Sequence, residues 1–336
     1  MRFALSSEHV DFGASLRKLL DAGRTPAAVR AWADGDAAPG LGLIRQLAGA
    51  GALGLAVREA HGGVEAEPID LVVAFQEIGR AAAPGPLVET AAAIPALLQA
   101  LPDTDLADRW LPGLADGASL GTLGFAATGR DTVALDADVA EVVLVLDGDR
   151  LCTGRRGDAV RSIDPARRLF QVHVDEVMVE GVAEASAAAF DAGALAAAAQ
   201  LLGAGRALLH AATEYAKQRK QFGKQIGEFQ AVKQRLADVL IGLDLAEPLL
   251  LRAALTTGES TRARDVSAAY VTCGEAAYAA ARAALQVHGA IGYTAEYDLS
   301  LWLTKVTALR AAWGTADLHR GRIAQALRQQ AQRGTA

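Results

Sequence analysis

Hydrophobic positions recur at helical spacing through the first 115 residues. After Ser6 and Ser7, apolar side chains return every three or four residues as far as Leu20, and either serine can accept a hydrogen bond from the first turn of a helix. Thr25-Pro26 predicts a second start, a cap followed by a proline in the first turn. Further helices are predicted at 43–55, 70–82 and 87–101. These patterns predict an N-terminal helical domain over residues 1–115.

The middle of the chain changes to short apolar runs. Residues 141–146 are typical of a buried strand, Asp147-Gly148 is a turn signal, and residues 150–153 return, which predicts a hairpin. Residues 169–174 and 176–179 are further strand candidates. We therefore predict a small β domain over residues 116–182.

Helical periodicity resumes at about residue 183. Helices are predicted at 186–219, 228–256, 262–288 and 316–333, with breaks at glycines 258, 289 and 292. Four long antiparallel helices favour a bundle over residues 183–336. The predicted fold class is mostly α, with a small β domain between two helical parts.

Composition narrows the function classes. The length of 336 residues suggests two or three domains, and the 51% hydrophobic content is enough for a large core. The net charge is −6 and the sequence contains no basic block, which argues against nucleic-acid binding. The two cysteines, Cys152 and Cys273, form no Cys/His cluster, so neither a metal site nor a disulfide framework is predicted. The N-terminus lacks a signal-peptide pattern, and no uninterrupted apolar stretch has membrane-spanning length. We therefore expect a cytoplasmic protein that does not bind membranes.

Two C-terminal segments carry a specific resemblance. Residues 215–230 are YAKQRKQFGKQIGEFQ, and residues 286–294 are QVHGAIGYT. Both resemble signature segments of acyl-CoA dehydrogenases, in the order and at about the separation found in that family. Residues 53–63 and 77–86 are similar to the family's N-terminal segments. The resemblance covers most of the chain, is weakest over 118–182, and implies the family's fold: N-terminal helices, a middle β domain and a C-terminal four-helix bundle.

The resemblance implies FAD as the cofactor. In the family these segments hold the flavin of a neighbouring subunit, which implies the following flavin contacts in this chain: Arg219, Gln221, Phe222, Gln286 and Gly289, with Thr315 as a further candidate. The chemistry fits, because an arginine fork binds phosphate oxygens, a phenylalanine offers an apolar platform, and glycines permit close backbone approach. The alternative is that Arg219 ends a solvated helix and the glycines form only a turn.

The resemblance also implies a catalytic base, since the family's reaction removes a proton next to a thioester carbonyl. Many members place a glutamate in a Tyr-Glu-Gly-Thr segment, but Trp313 stands at that position here. A second family pattern places the base on the preceding long helix, and its spacing from His288-Gly289 leads to Glu275. The residues three and four positions away from Glu275 are not basic, so no ion pair on the same helix is expected. The alternative is an exposed helix glutamate.

Two segments of full-length members are missing. The β domain lacks the family's Thr-Glu-Pro…Gly-Ser-Asp segment and the tryptophan loop against the flavin ring. This resembles the truncated chain of heteromeric, α2β2 acyl-CoA dehydrogenases that act on steroid side-chain CoA esters. The resemblance implies a full-length paralogue as partner, an acyl-CoA substrate and an electron-transfer flavoprotein as acceptor. Two alternatives stay open: a non-catalytic scaffold subunit, and a self-sufficient homo-oligomeric dehydrogenase.

Overall fold

The N-terminal part is built from six helices. The computed structural model describes residues 4–127 and 129–334. The helices are α1 (Ser7–Ala22), α2 (Thr25–Ala33), α3 (Ala38–Gly49), α4 (Pro68–Arg80), α5 (Ile94–Leu98) and α6 (Asp105–Ala115). Ser6 caps α1 by accepting a hydrogen bond from the His9 backbone N–H, which confirms the predicted start. Leu16 and Leu20 bury the inner face of α1.

Some predicted helices differ from the observed ones. The helix predicted at 43–55 starts at Ala38 and ends at Gly49, and a π-helical turn, Glu89–Ala93, precedes α5. The predicted helix start at Thr25-Pro26 is confirmed, but the prediction that Thr25 caps α2 was wrong. Arg24 is the N-cap residue, and the Thr25 hydroxyl donates to the Leu20 carbonyl oxygen at 2.6 Å. Helix α6 was not predicted.

The middle part is one five-stranded sheet. Its strands are β1 (Gly121–Phe125), β2 (Val133–Leu135), β3 (Val142–Asp147), β4 (Arg150–Val160) and β5 (Leu169–Glu180), in the order β1-β3-β4-β5-β2. Strands β1 and β3 are parallel, and the other neighbouring pairs are antiparallel. The predicted hairpin is confirmed, with Asp147 opposite Arg150. Strands β4 and β5 are longer than predicted, and their far ends form an irregular two-stranded ribbon that is mostly exposed. Because one face of this ribbon is not buried, its sequence lacks a clear alternation of apolar and polar residues.

The C-terminal part contains five helices and a short hairpin. These are α7 (Ala183–Gln218), β6 (Lys220–Gln221), β7 (Lys224–Gln225), α8 (Gln230–Leu255), α9 (Arg262–His288), α10 (Leu299–Ala312) and α11 (Ala316–Gly334). Helix α10 was not predicted. Four of its first five residues are apolar, so its apolar positions are not confined to one face of the helix. The fold class is confirmed as mostly helical with a small sheet. The domain bounds at 115/116 and 182/183 stay a prediction.

Helix α7 is the core helix of the bundle. Among the described residues it is the one helix long and apolar enough to cross a membrane, but most of its apolar stretch is buried inside the protein. It lies against α4, α8 and α9. We therefore interpret α7 as a buried helix of the bundle.

Two glycines bring the backbones of α4 and α7 together. A Cβ atom on Gly203 would lie 1.9 Å from the carbonyl oxygen of Gln76, and one on Gly79 would lie 2.1 Å from that of Gln200. Neither distance leaves room for a methyl group, so each helix crosses the other at a glycine. This contact joins the N-terminal helices to the bundle.

We expect Gly203→Ala to lower the free energy of unfolding by about 1–3 kcal/mol, the usual cost of overpacking, despite alanine's higher helix propensity. Urea unfolding followed by circular dichroism measures this. Gly242→Ala on α8 is the matched control, because a Cβ atom there has nothing within 4 Å. Equal stability of the two variants would contradict the close contact.

Lys305 on α10 is a buried cation. Its ammonium donates to the Ala83 carbonyl oxygen at 2.5 Å, and burial lowers the pKa of Lys305 to about 8. The Glu89 carboxyl contributes to the electrostatic field at Lys305 and is itself fully buried, so desolvation raises the pKa of Glu89. One Glu89 carboxylate oxygen has no hydrogen-bond partner among the described residues.

The lowered pKa of Lys305 predicts a pH-dependent stability. Between pH 8 and the unfolded-state value of 10.5, the folded protein holds fewer protons at this site than the unfolded chain. The free energy of unfolding should therefore rise with pH relative to Lys305→Met, by up to about 1.4 kcal/mol per pH unit. Urea unfolding of both proteins at several pH values measures the difference. Lys233→Met is the surface control, and a pH-independent difference for Lys305→Met would contradict the prediction.

Candidate functional site

Four of the six predicted flavin contacts line one cleft. Arg219 follows the end of α7, Gln221 and Phe222 belong to the β6–β7 hairpin, and Gln286 comes from the last turn of α9. The cleft has a volume of about 420 Å³, and its other lining residues come from the same elements and the start of α8: Tyr215, Ile226, Phe229, Ala231, Val232, Arg235 and Val287. We refer to it as the hairpin cleft.

The turn of the hairpin holds Phe222 outward. Phe222 and Gly223 both have positive φ, 52° and 83°, which gives the tight two-residue turn that suits a hairpin. Positive φ is unfavourable for a bulky residue, and the Phe222 side chain is also 92% exposed. Its ring meets Phe229 edge to face, with centroids 6.3 Å apart. The turn therefore presents an apolar ring at the mouth of the cleft, where a planar ligand can stack on it.

A second cleft adjoins the first at Gln286, which lines both. It has a volume of about 780 Å³. Its lining residues come from α9, the turn Gly289–Tyr293, α10 and the β4–β5 loop: Ile163, Tyr278, Ala281, Arg282, Leu285, Gln286, Gly289, Ala290, Gly292, Tyr293, Ser300, Leu303, Thr304 and Thr307. We refer to it as the glycine cleft, because Gly289 and Gly292 line it. Gly289 has φ 66° and ψ −143°, a backbone conformation that favours glycine.

His288 fixes the end of α9 between the clefts. Its Nδ1 lies 2.8 Å from the Ala284 carbonyl oxygen, and its ring stacks on Tyr215 with centroids 4.3 Å apart. Burial lowers the pKa of His288, so the neutral imidazole is favoured. This packing positions the glycine turn.

The clefts are positively charged. Arg219 and Arg235 line the hairpin cleft and Arg282 lines the glycine cleft, while no aspartate or glutamate among the described residues lines either. Arg235 and Arg282 were missed in the sequence. Arg282 could have been found, because it precedes Gln286 by four residues and so shares its helix face.

Glu275 lies outside both clefts. Its side chain is 53% exposed on α9 and forms an ion pair with Arg320 of α11, which also contacts Asp317. The expectation that no ion pair forms on the same helix is confirmed, and the partner instead comes from α11, 45 residues further along the chain. This chain by itself does not exclude water from Glu275.

Trp313, which stands where the resemblance implies the base of many family members, is a buried aromatic residue. It is 3% exposed and meets Phe125 and Phe190 edge to face, with centroids 5.7 and 6.4 Å away. A Cβ atom on Gly193 would lie 2.3 Å from its ring. The carbonyl oxygen of Trp313 lies 2.8 Å from His319 Nε2. The space between β1, α7 and α11 is therefore closed by an aromatic plug.

Thr315 lies in neither cleft. Its hydroxyl accepts a hydrogen bond from the Leu318 backbone N–H at 3.3 Å, which caps the first turn of α11. The structure thus separates Thr315 from the other predicted flavin contacts, and its role toward flavin stays a prediction.

Comparison with known proteins finds related sequences over most of the chain. The family profile "Acyl-CoA dehydrogenase, N-terminal domain" matches residues 6–118, and "Acyl-CoA dehydrogenase, C-terminal domain" matches residues 180–328. Acyl-CoA dehydrogenase IpdE2 from Mycobacterium tuberculosis is 34% identical over 301 residues, which cover 87% of each chain.

Solved structures show the same fold. The ChsE4-ChsE5 complex from Mycobacterium tuberculosis contains a chain that matches with a TM-score of 0.82 and 22% identity, covering 97% of this chain and 99% of that one. A glutaryl-CoA dehydrogenase from Mycobacterium smegmatis, solved in complex with FADH2, matches with a TM-score of 0.82 and 18% identity, covering 96% and 95%. Together with the sequence matches, these findings show that the chain belongs to the acyl-CoA dehydrogenase family.

Proposed function

We propose that this chain is a subunit of a heteromeric, FAD-dependent acyl-CoA dehydrogenase and completes the flavin site of a longer, related chain. One observation carries the proposal: Arg219, Gln221, Phe222 and Gln286 meet in a cleft that is open at the surface. In addition, the buried Trp313 stands where the resemblance implies the base of many family members. FAD is the cofactor that family membership gives.

The residues at the clefts fit a flavin dinucleotide. The Arg219 guanidinium can bind diphosphate oxygens through two parallel hydrogen bonds, and the exposed Phe222 ring offers a stacking face. The Gln286 amide reaches both clefts and can donate to an oxygen without changing charge. When bound, FAD supplies the hydride acceptor for the α,β-dehydrogenation of an acyl-CoA thioester.

Glu275 is the proposed base that takes the α-proton. For this, a Glu275 carboxylate oxygen must reach the α-carbon and Arg320 must release that oxygen. A partner chain that covers the exposed face of α9 would exclude water from Glu275. In this proposal the substrate is a bulky acyl-CoA such as a steroid side-chain ester, and an electron-transfer flavoprotein accepts the electrons.

The partner in this proposal is a full-length paralogue in an α2β2 assembly. Its β domain would supply the segments that the present sheet lacks, and the hairpin and glycine clefts would meet it. Exposed apolar side chains at and beside the clefts, Phe222, Tyr293 and Ile163, support an interface there.

Flavin content tests the proposal. We expect the chain purified alone to lack the visible absorbance of flavin, and the chain co-expressed with a full-length paralogue to carry FAD that Arg219→Gln removes. Strong flavin absorbance from the chain alone would favour the homo-oligomeric alternative. Normal FAD content in the co-expressed Arg219→Gln complex would show that the hairpin cleft does not bind the cofactor.

A second candidate function is a scaffold subunit that binds flavin without contributing a base. The exposure of Glu275 and its ion pair with Arg320 favour this alternative, because an exposed ion pair needs no catalytic explanation. Flavin binding does not separate the two candidates, whereas turnover of a Glu275 variant does.

A further inference from the structure

Three arginines border the two clefts. Arg219 and Arg235 line the hairpin cleft together, and Arg282 lines the glycine cleft. Arg235 and Arg282 also line one groove of about 530 Å³ between α8 and α9. The three side chains therefore follow one another along the surface, and Gln286 lies where the clefts meet.

These arginines have no ion-pair partner within residues 4–127 and 129–334. Several other arginines of the same bundle differ, since Arg206 pairs with Glu247 and Arg322 with Asp191. Asp238 borders the groove between α8 and α9 but forms no ion pair with Arg235. The described part of the chain thus places three arginines without an ion-pair partner at the clefts, although the net charge of the protein is −6. Uncompensated arginines grouped around a concave surface favour an anionic ligand.

We propose that Arg235 and Arg282 act with Arg219 as a phosphate-binding strip that holds the diphosphate of FAD where the two clefts join. This inference rests on the proposed function and adds two binding residues to it. Planar guanidinium groups bind phosphate oxygens through paired hydrogen bonds, and two phosphates offer enough oxygens for three such groups. Arg282 and Gln286 lie one helical turn apart, so a single diphosphate at the join is within the reach of both.

The strip predicts a selective loss of phosphate binding. In the complex with the partner subunit, we expect Arg235→Gln and Arg282→Gln each to raise the Kd for FAD about tenfold. In the flavin-free complex, the affinity for ADP should fall by the same factor in both variants. The affinity for adenosine, which lacks phosphate, should be unchanged. Fluorescence titration for FAD and calorimetry for ADP and adenosine measure these constants. Arg45→Gln, at an exposed arginine of α3, is the matched control.

The other outcomes are distinguishable. If Arg219→Gln releases FAD while Arg235→Gln and Arg282→Gln bind FAD and ADP normally, the strip is overturned and the proposed function stands. If the two variants instead prevent assembly, measured by analytical ultracentrifugation, the arginines pair with the partner subunit and the strip is again overturned. If Arg219→Gln also binds FAD normally, the proposed function itself fails.

Discussion

Turnover of the proposed heteromeric enzyme is expected to fall at least about a hundredfold in Glu275→Gln, because an amide cannot take the α-proton as the proposed base would. Glutamine keeps the size of the side chain and can still accept a hydrogen bond from Arg320, so the fold and the FAD content should be unchanged. The loss should appear in kcat, since the substituted group acts on the reacting atoms rather than in binding. Steady-state kinetics of the purified complex, normalised to flavin absorbance, measures it.

The control for this variant is another exposed, ion-paired helix glutamate. Glu214 pairs with Lys217 on α7, and Glu214→Gln should leave turnover unchanged. Full turnover of Glu275→Gln in a complex with normal flavin content would assign the base to the partner chain. The scaffold function would then be the better account of this subunit.

Trp313→Ala is expected to lower the free energy of unfolding by about 3–5 kcal/mol, the usual cost of removing a large buried aromatic side chain. The indole ring fills the space between Phe125 and Phe190, and the helix at Gly193 lies directly against it. The backbone around the ring is also tied down, since the Trp313 N–H donates to the Tyr270 hydroxyl at 3.2 Å. The remaining walls therefore have little freedom to collapse into the cavity.

Urea unfolding measures this change in the free energy of unfolding, and two variants serve as comparisons. Trp313→Phe keeps an aromatic ring and should lose less stability. Trp110→Ala removes a partly exposed tryptophan of α6 and should also cost less. A loss for Trp313→Ala no greater than that for Trp110→Ala would contradict the description of Trp313 as a filled plug.

Four residues of the hairpin cleft were predicted, because the resemblance rests on two short local segments that contain them. The β6–β7 hairpin and the cleft itself were not predicted, and the structure shows that the Phe222-Gly223 turn, the end of α7 and the last turn of α9 bring these residues together. The resemblance supplied the functional meaning of these residues, which periodicity alone does not contain.

Features set by distant contacts were not predicted. The partner of Glu275 comes from α11, and the surroundings of Trp313 come from β1 and α7. Helix α10 escaped prediction because its apolar residues are spread around the helix, an arrangement that follows from packing on several sides. Such features depend on tertiary packing between distant segments, and the local hydrophobic periodicity of a single sequence does not indicate them.

The exposed ring of Phe222 also bears on how cells manage this subunit. With Tyr293 and Ile163, it places large apolar side chains on the surface of any copy that lacks a partner. Surfaces of this kind promote self-association and recognition by chaperones and proteases. If the chain forms the proposed heteromeric enzyme, copies made in excess of the partner would therefore be degraded or would aggregate, which favours balanced synthesis of the two chains.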